Sequence, residues 1–537
     1  MAVLALLLAA CGGGDDGGDT TDTGTEGGEE STEGGDDAAA GGGGDLIVGT
    51  TDTVPTVDPA KCYSYYCSNI LQNVGNTLVS FAPGESEPSP QIAADMPEIS
   101  EDGLTYTFTL KEGLTFHDGS ELTSEDVKFS LQRAQWMNHP EGAGFLFAGI
   151  ENIETPDDLT VEITLSEPDI TFVSKLAYAV GTIVPSDGDY TSPDGPLEEG
   201  DDPEQYVNEE FVGSGAYRLA EFRENQSITL EAFEDYHEEQ ANDRVLVQFY
   251  QQGAQLKAAL EAGEVDVAFR SLAPQERQDL EGNDQIQVIE GEGASIRYIV
   301  LNTLMPPFDD VAVRQALAAA VDRDRIVEDV FGGTVEPLYS MVPPGFAEAH
   351  VPAFEERYAD AEPSDFVEGP IEMDLWYSTD HYGDTEPSIA QTLERTLEET
   401  GVFDVTLQST EWAQFTEQAW PGENGQYQSF LLGWYPDYLD PDDYVYPFFH
   451  SETSFLQLYG NPDMDQLISE EQTATDPVSE ERMQTFAEIQ ELAAEEVPTV
   501  PLFVETPVAF AREGVTGVED TMDAAQIFRY WLISPGE

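Results

Sequence analysis

Residues 95–130, DMPEISEDGLTYTFTLKEGLTFHDGSELTSEDVKFS, decide the fold because they encode one compact unit of hairpin, turn and helix. Over 105–110 the alternation Thr-Tyr-Thr-Phe-Thr-Leu puts Tyr106, Phe108 and Leu110 on one face of a strand and the threonines on the other. Lys111, Glu112 and Gly113 supply a turn, and Leu114 and Phe116 are expected to continue as the second strand of a hairpin. Asp118-Gly119, a pair suited to positive φ, closes it. Thr123, three residues before Asp126, then opens a helix in capping-box fashion, with Val127, Ser130, Leu131 and Ala134 at helical spacing.

The order D-G-x-x-Y-T-F-x-L-x-x-G-x-x-F-x-D-G-x-x-x-T-x-x-D-V-x-F-S in this block resembles the signature segment of the peptide-type (family 5) extracytoplasmic solute-binding proteins of ABC importers. Four further segments agree in the expected order: FVGSGAYRL at 211–219, ALEAGEVDVA at 259–268, PFDDVAVRQA at 307–316 and GWYPDYLDP at 433–441. The resemblance covers nearly everything after about Asp45. It implies an α/β protein with the two-lobed type II periplasmic-binding fold, an additional hairpin-rich domain packed on the first lobe, and a chain that crosses between lobes more than once. The expected boundaries are 45–80, 211–301 and 506–537 for the first lobe, 81–210 for the extra domain, and 302–505 for the second lobe.

Periodicity read without the resemblance points the same way. Val245, Val247 and Phe249 make a strand, 255–262 a helix stopped at Gly263, and 265–269 a second strand, the β-α-β unit of a parallel sheet. Asp310 and Asp322 each precede a helix, the second ended by Gly332-Gly333. A strand at 371–377, a helix from Pro387 to Gly401, a strand through Phe403, Val405 and Leu407, a short helix capped by Thr410, and a buried strand at 430–432 repeat the pattern. An amphipathic helix follows over 479–496.

The chain of 537 residues carries 107 acidic against 20 basic residues, a formal net charge of -87. This argues against nucleic acid or an anionic bilayer as an electrostatic partner. Such self-repulsion is relieved as the Debye length falls to about 3 Å near molar salt, so a saline working environment is expected. At the N-terminus, residues 2–10 form an apolar run too short to span a membrane, ending in Leu8-Ala9-Ala10-Cys11, which resembles a lipoprotein lipobox with Cys11 as the acylated residue. No Lys or Arg precedes the run, a departure from the usual basic start. Residues 12–44 are almost entirely Gly, Asp, Glu, Thr, Ser and Ala and are expected to be a disordered tether, with a reach of roughly 30 Å. With Cys11 as anchor, Cys62 and Cys67 remain as an even pair in an oxidising compartment, which favours a local disulfide. A metal site is the rival, but two thiols with no nearby His ligate zinc poorly.

The segment 433–441 follows the strand at 430–432 at its carboxyl end, where open α/β sheets bind ligands. The resemblance implies that Asp437, three residues after Trp434, pairs with the α-ammonium group of a peptide. Trp434, Tyr435, Tyr438, Tyr63, Tyr66 and Trp412 are the candidate aromatic contacts, although large rings at element ends are also commonly core. Dipeptide-binding members hold the ligand carboxylate with an Arg after the strand at 371–377. This chain has no Lys or Arg between Tyr358 and Glu394, which leaves His381 as the only candidate cation there. The carboxylate is then held elsewhere, the ligand is longer, or it is not a peptide.

Enzyme signatures are missing. The six His residues are scattered with no H-E-x-x-H, and Gly213-Ser214-Gly215 lacks the spacing of a nucleophile elbow. The sequence reading is therefore a monomeric, lipid-anchored receptor on the outer face of the cell membrane, with no cofactor or metal. It captures a peptide, an oligopeptide rather than a dipeptide, and delivers it to an ABC permease and its ATPase. Oligosaccharides, nickel chelates or other small cations are the alternative solutes; a surface hydrolase or adhesion module is the rival class.

Overall fold

The computed structural model describes residues 44–139, 141–187, 211–270, 272–383, 385–419, 426–451, 458–525 and 527–536. Cys11 and the expected signal and tether up to residue 43 lie outside the described residues.

A seven-stranded sheet builds the first lobe in the order Ile286–Glu290, Val508–Arg512, Val267–Phe269, Asp45–Thr50, Arg244–Phe249, Ser227–Ala232, Tyr217–Arg223. Asp45–Thr50 runs parallel to both Arg244–Phe249 and Val267–Phe269, so these three strands end on one edge. The β-α-β reading is met: the helix Gly253–Ala262 is closed by Gly263 at φ 74, a conformation that costs glycine little. Leu46, Val48, Val245, Val247 and Val267 are completely buried.

The second lobe holds a six-stranded sheet in the order Val335–Pro337, Thr499–Glu505, Ser295–Leu301, Ser429–Trp434, Ile371–Ser378, Phe403–Thr410. Ile371–Ser378 is parallel to both of its neighbours, which gives this lobe a carboxyl edge as well. Asp310 and Asp322 cap their helices, accepting from the N–H of Ala312 (2.9 Å) and Arg325 (3.1 Å). The helix at 412–419 departs from expectation: Asp380 Oδ1, not Thr410, accepts the Trp412 N–H at 2.8 Å. Ser295–Leu301 also differs from the expected boundary at 302, because it pairs with Ser429–Trp434 and Thr499–Glu505 in the second sheet.

The chain therefore passes between lobes after Glu290 and again after Glu505, and the two passages lie side by side, the Gly291 N–H donating to Pro507 O at 2.8 Å. Gly291 is required there, since a Cβ would sit 2.4 Å from Met522 O.

The third region packs the helix Ser124–Met137 on a four-stranded antiparallel sheet, ordered Glu98–Ile99, Thr105–Thr109, Thr160–Leu165, Ile150–Asp157. Tyr106, Phe108 and Leu110 are buried as the alternation predicts. The capping box forms, with Asp126 Oδ2 accepting from Thr123 N–H (2.8 Å) and Thr123 Oγ1 (2.9 Å). The predicted hairpin does not. Both edges of Thr105–Thr109 are taken by Glu98–Ile99 and Thr160–Leu165, so residues 114–116 make only an isolated bridge from Thr115 to Glu121, and Phe116 reaches the core from a loop. Next to it, His117 Nε2 lies 3.0 Å from Gly215 O. Burial pushes that imidazole down to about 4, so it is neutral at pH 7 and joins this region to the first lobe.

Candidate functional site

Ser429–Trp434 enters the cleft at its carboxyl edge, and close packing fixes where the following loop begins. A Cβ on Gly433 would lie 2.8 Å from the Tyr382 ring and 3.0 Å from Arg297, so glycine lets the strand approach them; its N–H donates to Tyr382 Oη at 2.9 Å. Trp434 turns into the second-lobe core, edge-on to Phe448 at 5.0 Å. Its Nε1–H donates to Asp443 Oδ2 at 3.1 Å, and the same oxygen accepts the Asp437 N–H at 2.9 Å. Trp434 thus positions Asp443, which in turn anchors the backbone at Asp437.

The Asp437 side chain points into the cleft. Tyr63 Oη donates to its Oδ2 at 3.0 Å, whereas Oδ1 is buried with no hydrogen-bond partner among the described residues. A buried carboxylate left half-satisfied is costly as an anion. Burial accordingly pushes its pKa up to about 7, against a smaller opposing effect of the Tyr63 hydrogen bond. Asp443 is raised as well, by burial and then by the Asp437 charge, so the two acids titrate as a pair. Farther along, Asp440 is clamped by Arg482 Nη1 and Nη2 at 2.9 and 2.7 Å, and Tyr438 Oη donates to Asp442 Oδ2 at 2.7 Å.

The first lobe supplies the facing wall. Cys62 and Cys67 form a disulfide that brackets Tyr63, Tyr65 and Tyr66 at the start of the helix Tyr65–Val74. Tyr63 reaches Asp437, and Tyr65 meets Tyr435 edge-on at 6.0 Å. Tyr65, Ser68, Tyr178, Tyr435, Asp437 and Tyr438 are among the residues lining a cleft of about 30 Å³ between the lobes and the third region.

The structure separates the expected contacts. Asp437, Tyr63, Tyr435 and Tyr438 come together at this cleft, Tyr438 being buried between the second lobe and the third region. Tyr66 does not: it is 1 % exposed in the first-lobe core with its ring against Phe249, and Tyr65 takes the place expected for it. Trp434 is held in the core, as described. Trp412 and His381 stack at 3.7 Å with 6° between planes, beside Tyr382 at the second-lobe rim. His381 is unsuited to replace the missing cation: desolvation among the cleft walls, then the charges of Arg297 and Arg270, push it down to about 4, so it is neutral at pH 7.

Sequence reasoning missed Arg270. It directly follows Val267–Phe269 at the carboxyl edge of the first-lobe sheet, which is itself the signal that finds it. Its guanidinium lies over Tyr65 at 4.2 Å and pairs with Asp52 Oδ2 at 2.9 Å. The arrangement can hold a cation on the free oxygen of Asp437, flank it with tyrosine faces, and present positive charge beyond them. Among the described residues no group of three or more His, Cys, Asp or Glu side chains is placed to hold a metal ion, and no helix is long and apolar enough to cross a membrane.

Known proteins match along most of the chain. The family described as bacterial extracellular solute-binding proteins, family 5 Middle, matches residues 87–455. Heme-binding protein A of Haemophilus influenzae is 28% identical over 82% of this chain and 82% of its own. A dipeptide-binding protein of Pseudomonas aeruginosa is 25% identical over 80% and 83%. Among solved structures, the periplasmic binding protein DppA of Helicobacter pylori in complex with the peptide STSA superposes with a TM-score of 0.77 at 22% identity, covering 92% of this chain and 98% of that one. The murein tripeptide-binding protein MppA of Escherichia coli does so with a TM-score of 0.74 at 20% identity, covering 92% and 99%. With a family match across more than half its length and a two-lobed cleft of the same fold, this chain belongs to family 5 of the bacterial extracellular solute-binding proteins, the non-enzymatic binding components of ABC importers.

Proposed function

We propose that the protein captures a peptide by its amino end on Asp437, closing two lobes over it and presenting the closed form to a permease. The observation that carries this is Asp437 itself: 4 % exposed, with one oxygen lacking any partner among the described residues. An ammonium group supplies the donors and the charge that this carboxylate lacks. The Tyr65–Tyr435 wall suits varied side chains, and the absence of Lys or Arg between Tyr358 and Glu394 favours an extended oligopeptide held largely by main-chain bonds over a dipeptide whose carboxylate is clamped from that segment of the second lobe. The small cleft volume fits a closed form that opens about the paired crossings after Glu290 and Glu505 to admit the solute.

Mass spectrometry of the small molecules released on denaturing the purified protein tests this reading directly. Peptides are expected; an oligosaccharide or metal chelate in their place would replace it. In calorimetry, Asp437→Ala is expected to weaken binding of a released peptide by about 2 kcal/mol or more, and unchanged affinity would reject the role of Asp437.

The same reading makes the protein a monomer tethered to the outer face of the membrane through acylated Cys11. Cys11→Ala is expected to move it from the membrane fraction to the soluble one. Its acidity belongs to a saline setting, so melting temperature should rise from low to molar salt; a flat or falling series would remove that part.

A further inference from the structure

We infer that Arg270 forms a second, anion-receiving subsite of the cleft, so that the solute is zwitterionic, its cationic group on Asp437 and a carboxylate on the Arg270 guanidinium. The inference rests on the proposed capture of an amine-bearing peptide and adds its other end.

Arg270 holds a backbone φ of 71, a left-handed conformation rare for a residue with a side chain. A glycine would relieve it; the arginine there lays its guanidinium over Tyr65, which lines the cleft. The side chain is 35 % exposed, and its guanidinium spends Nη1 on Asp52 Oδ2 and rests on the Tyr65 face. Its other N–H groups have no partner among the described residues, which leaves an edge for a bidentate carboxylate.

A second arginine stands behind it. Arg277 donates Nε–H to Leu272 O at 3.0 Å, has no carboxylate within ion-pair distance among the described residues, and lies close enough to feel the Arg270 charge. Two guanidiniums within electrostatic range of each other, in a chain of net charge -87, are a local reversal of sign. The acids that oppose it are Asp52, already paired, and Glu505 at the end of Thr499–Glu505, within electrostatic range of both arginines. From the second lobe, neutral His381 lies within electrostatic range of Arg270. Tyr65 touches Arg270 on one side and Tyr435 on the other, and Tyr435 lies within range of both Asp437 and Arg270. The cationic and anionic ends of the site are therefore separated by one pair of aromatic rings. This explains how the cleft reads a carboxylate without any Arg after Ile371–Ser378: the cation comes from the opposite lobe, and a ligand bridging both ends ties the lobes together.

The test uses the full chain stripped of solute and a tetrapeptide library made as free acids and as C-terminal amides, with apparent affinities read from thermal shift across concentration. The unaltered protein is expected to bind the acids about tenfold tighter than the amides. Arg270→Gln is expected to bind both alike at the amide level, and Arg270→Lys to keep part of the preference. Equal binding of acids and amides by the unaltered protein, or an acid preference that survives Arg270→Gln, overturns the subsite while leaving amine capture intact. Binding of neither library overturns the peptide reading, and the subsite falls with it.

Discussion

Asp126 and Asp437 are buried to nearly the same extent, 5 % and 4 % exposed, yet their surroundings differ in kind. Asp126 accepts three hydrogen bonds, two from Thr123 and one from the Ser186 N–H at 2.8 Å. Asp437 accepts one, from Tyr63, and leaves Oδ1 bare. The first carboxylate organises a helix start in the third region; the second waits at the cleft. Burial alone therefore does not mark a binding residue in this very acidic chain. Among the described residues, burial with an unmet demand for donors narrows the choice to Asp437, Asp443, Glu471 and Asp523, and of these four only Asp437 lines the cleft.

The sharpest way to break that contrast is to remove a fully satisfied acid. Asp58 is completely buried, takes Arg133 Nη1 and Nη2 at 2.6 Å each, and accepts the Ala60 N–H at 3.0 Å. Asp58→Ala leaves the Arg133 guanidinium buried without its counter-charge and parts the helix Ser124–Met137 from the N-terminal segment of the first lobe. Equilibrium urea unfolding should show a loss of about 3–5 kcal/mol. A loss under about 1 kcal/mol would mean that satisfied acids here are as dispensable as surface ones.

Asp437 should behave in the opposite sense. An unfolded Asp ionises near 3.8 and the folded one near 7, so between these values the folded state holds the extra proton. Stability without solute then falls as pH rises from about 4 to 7 and levels off above. The fall attributable to this residue is roughly 2–4 kcal/mol, the residue titrating as a pair with Asp443. Asp437→Asn removes that part of the slope and is expected to be the more stable protein at pH 8. Affinity for an amine-bearing peptide moves the other way in the unaltered chain, rising through the same window as the carboxylate ionises. A pH-independent affinity between 5.5 and 8 would sink the assignment.

What could be seen in advance follows the range of the interactions. The Thr123–Asp126 box, the Asp310 and Asp322 caps and the alternation over 105–109 are contacts between residues a few positions apart, so residue type and spacing suffice. Residues 114–116 alternate equally well but form no ladder, because strands about residues 98 and 160 had already claimed both edges of their neighbour. Tyr66 and Trp434 were indistinguishable from their neighbours Tyr65 and Tyr435 until the packing of two lobes decided which ring faced inward. His381 carries the clearest lesson: its residue type offered a cation, and desolvation, helped by two arginines distant in sequence, withdrew the charge. Arg270 follows a strand of the other lobe's sheet, so no local spacing in the sequence ties it to Asp437.

The smallest effect probes how the unsatisfied acid is held. Trp434 Nε1–H is one of two donors to Asp443 Oδ2, the other being the Asp437 backbone. Trp434→Phe keeps most of the packing against Phe448 and deletes one hydrogen bond to a buried carboxylate, a loss of about 1–2 kcal/mol in stability at pH 8. With fewer donors, Asp443 holds its proton to higher pH, so the pH at which stability levels off should move upward. If Trp434 instead contacted solute, peptide affinity would fall well beyond the stability change and the pH profile would stay where it was. Reading both quantities on the one variant separates a ring that positions the acid pair from a ring that touches the ligand, and the buried indole of this structure favours the former.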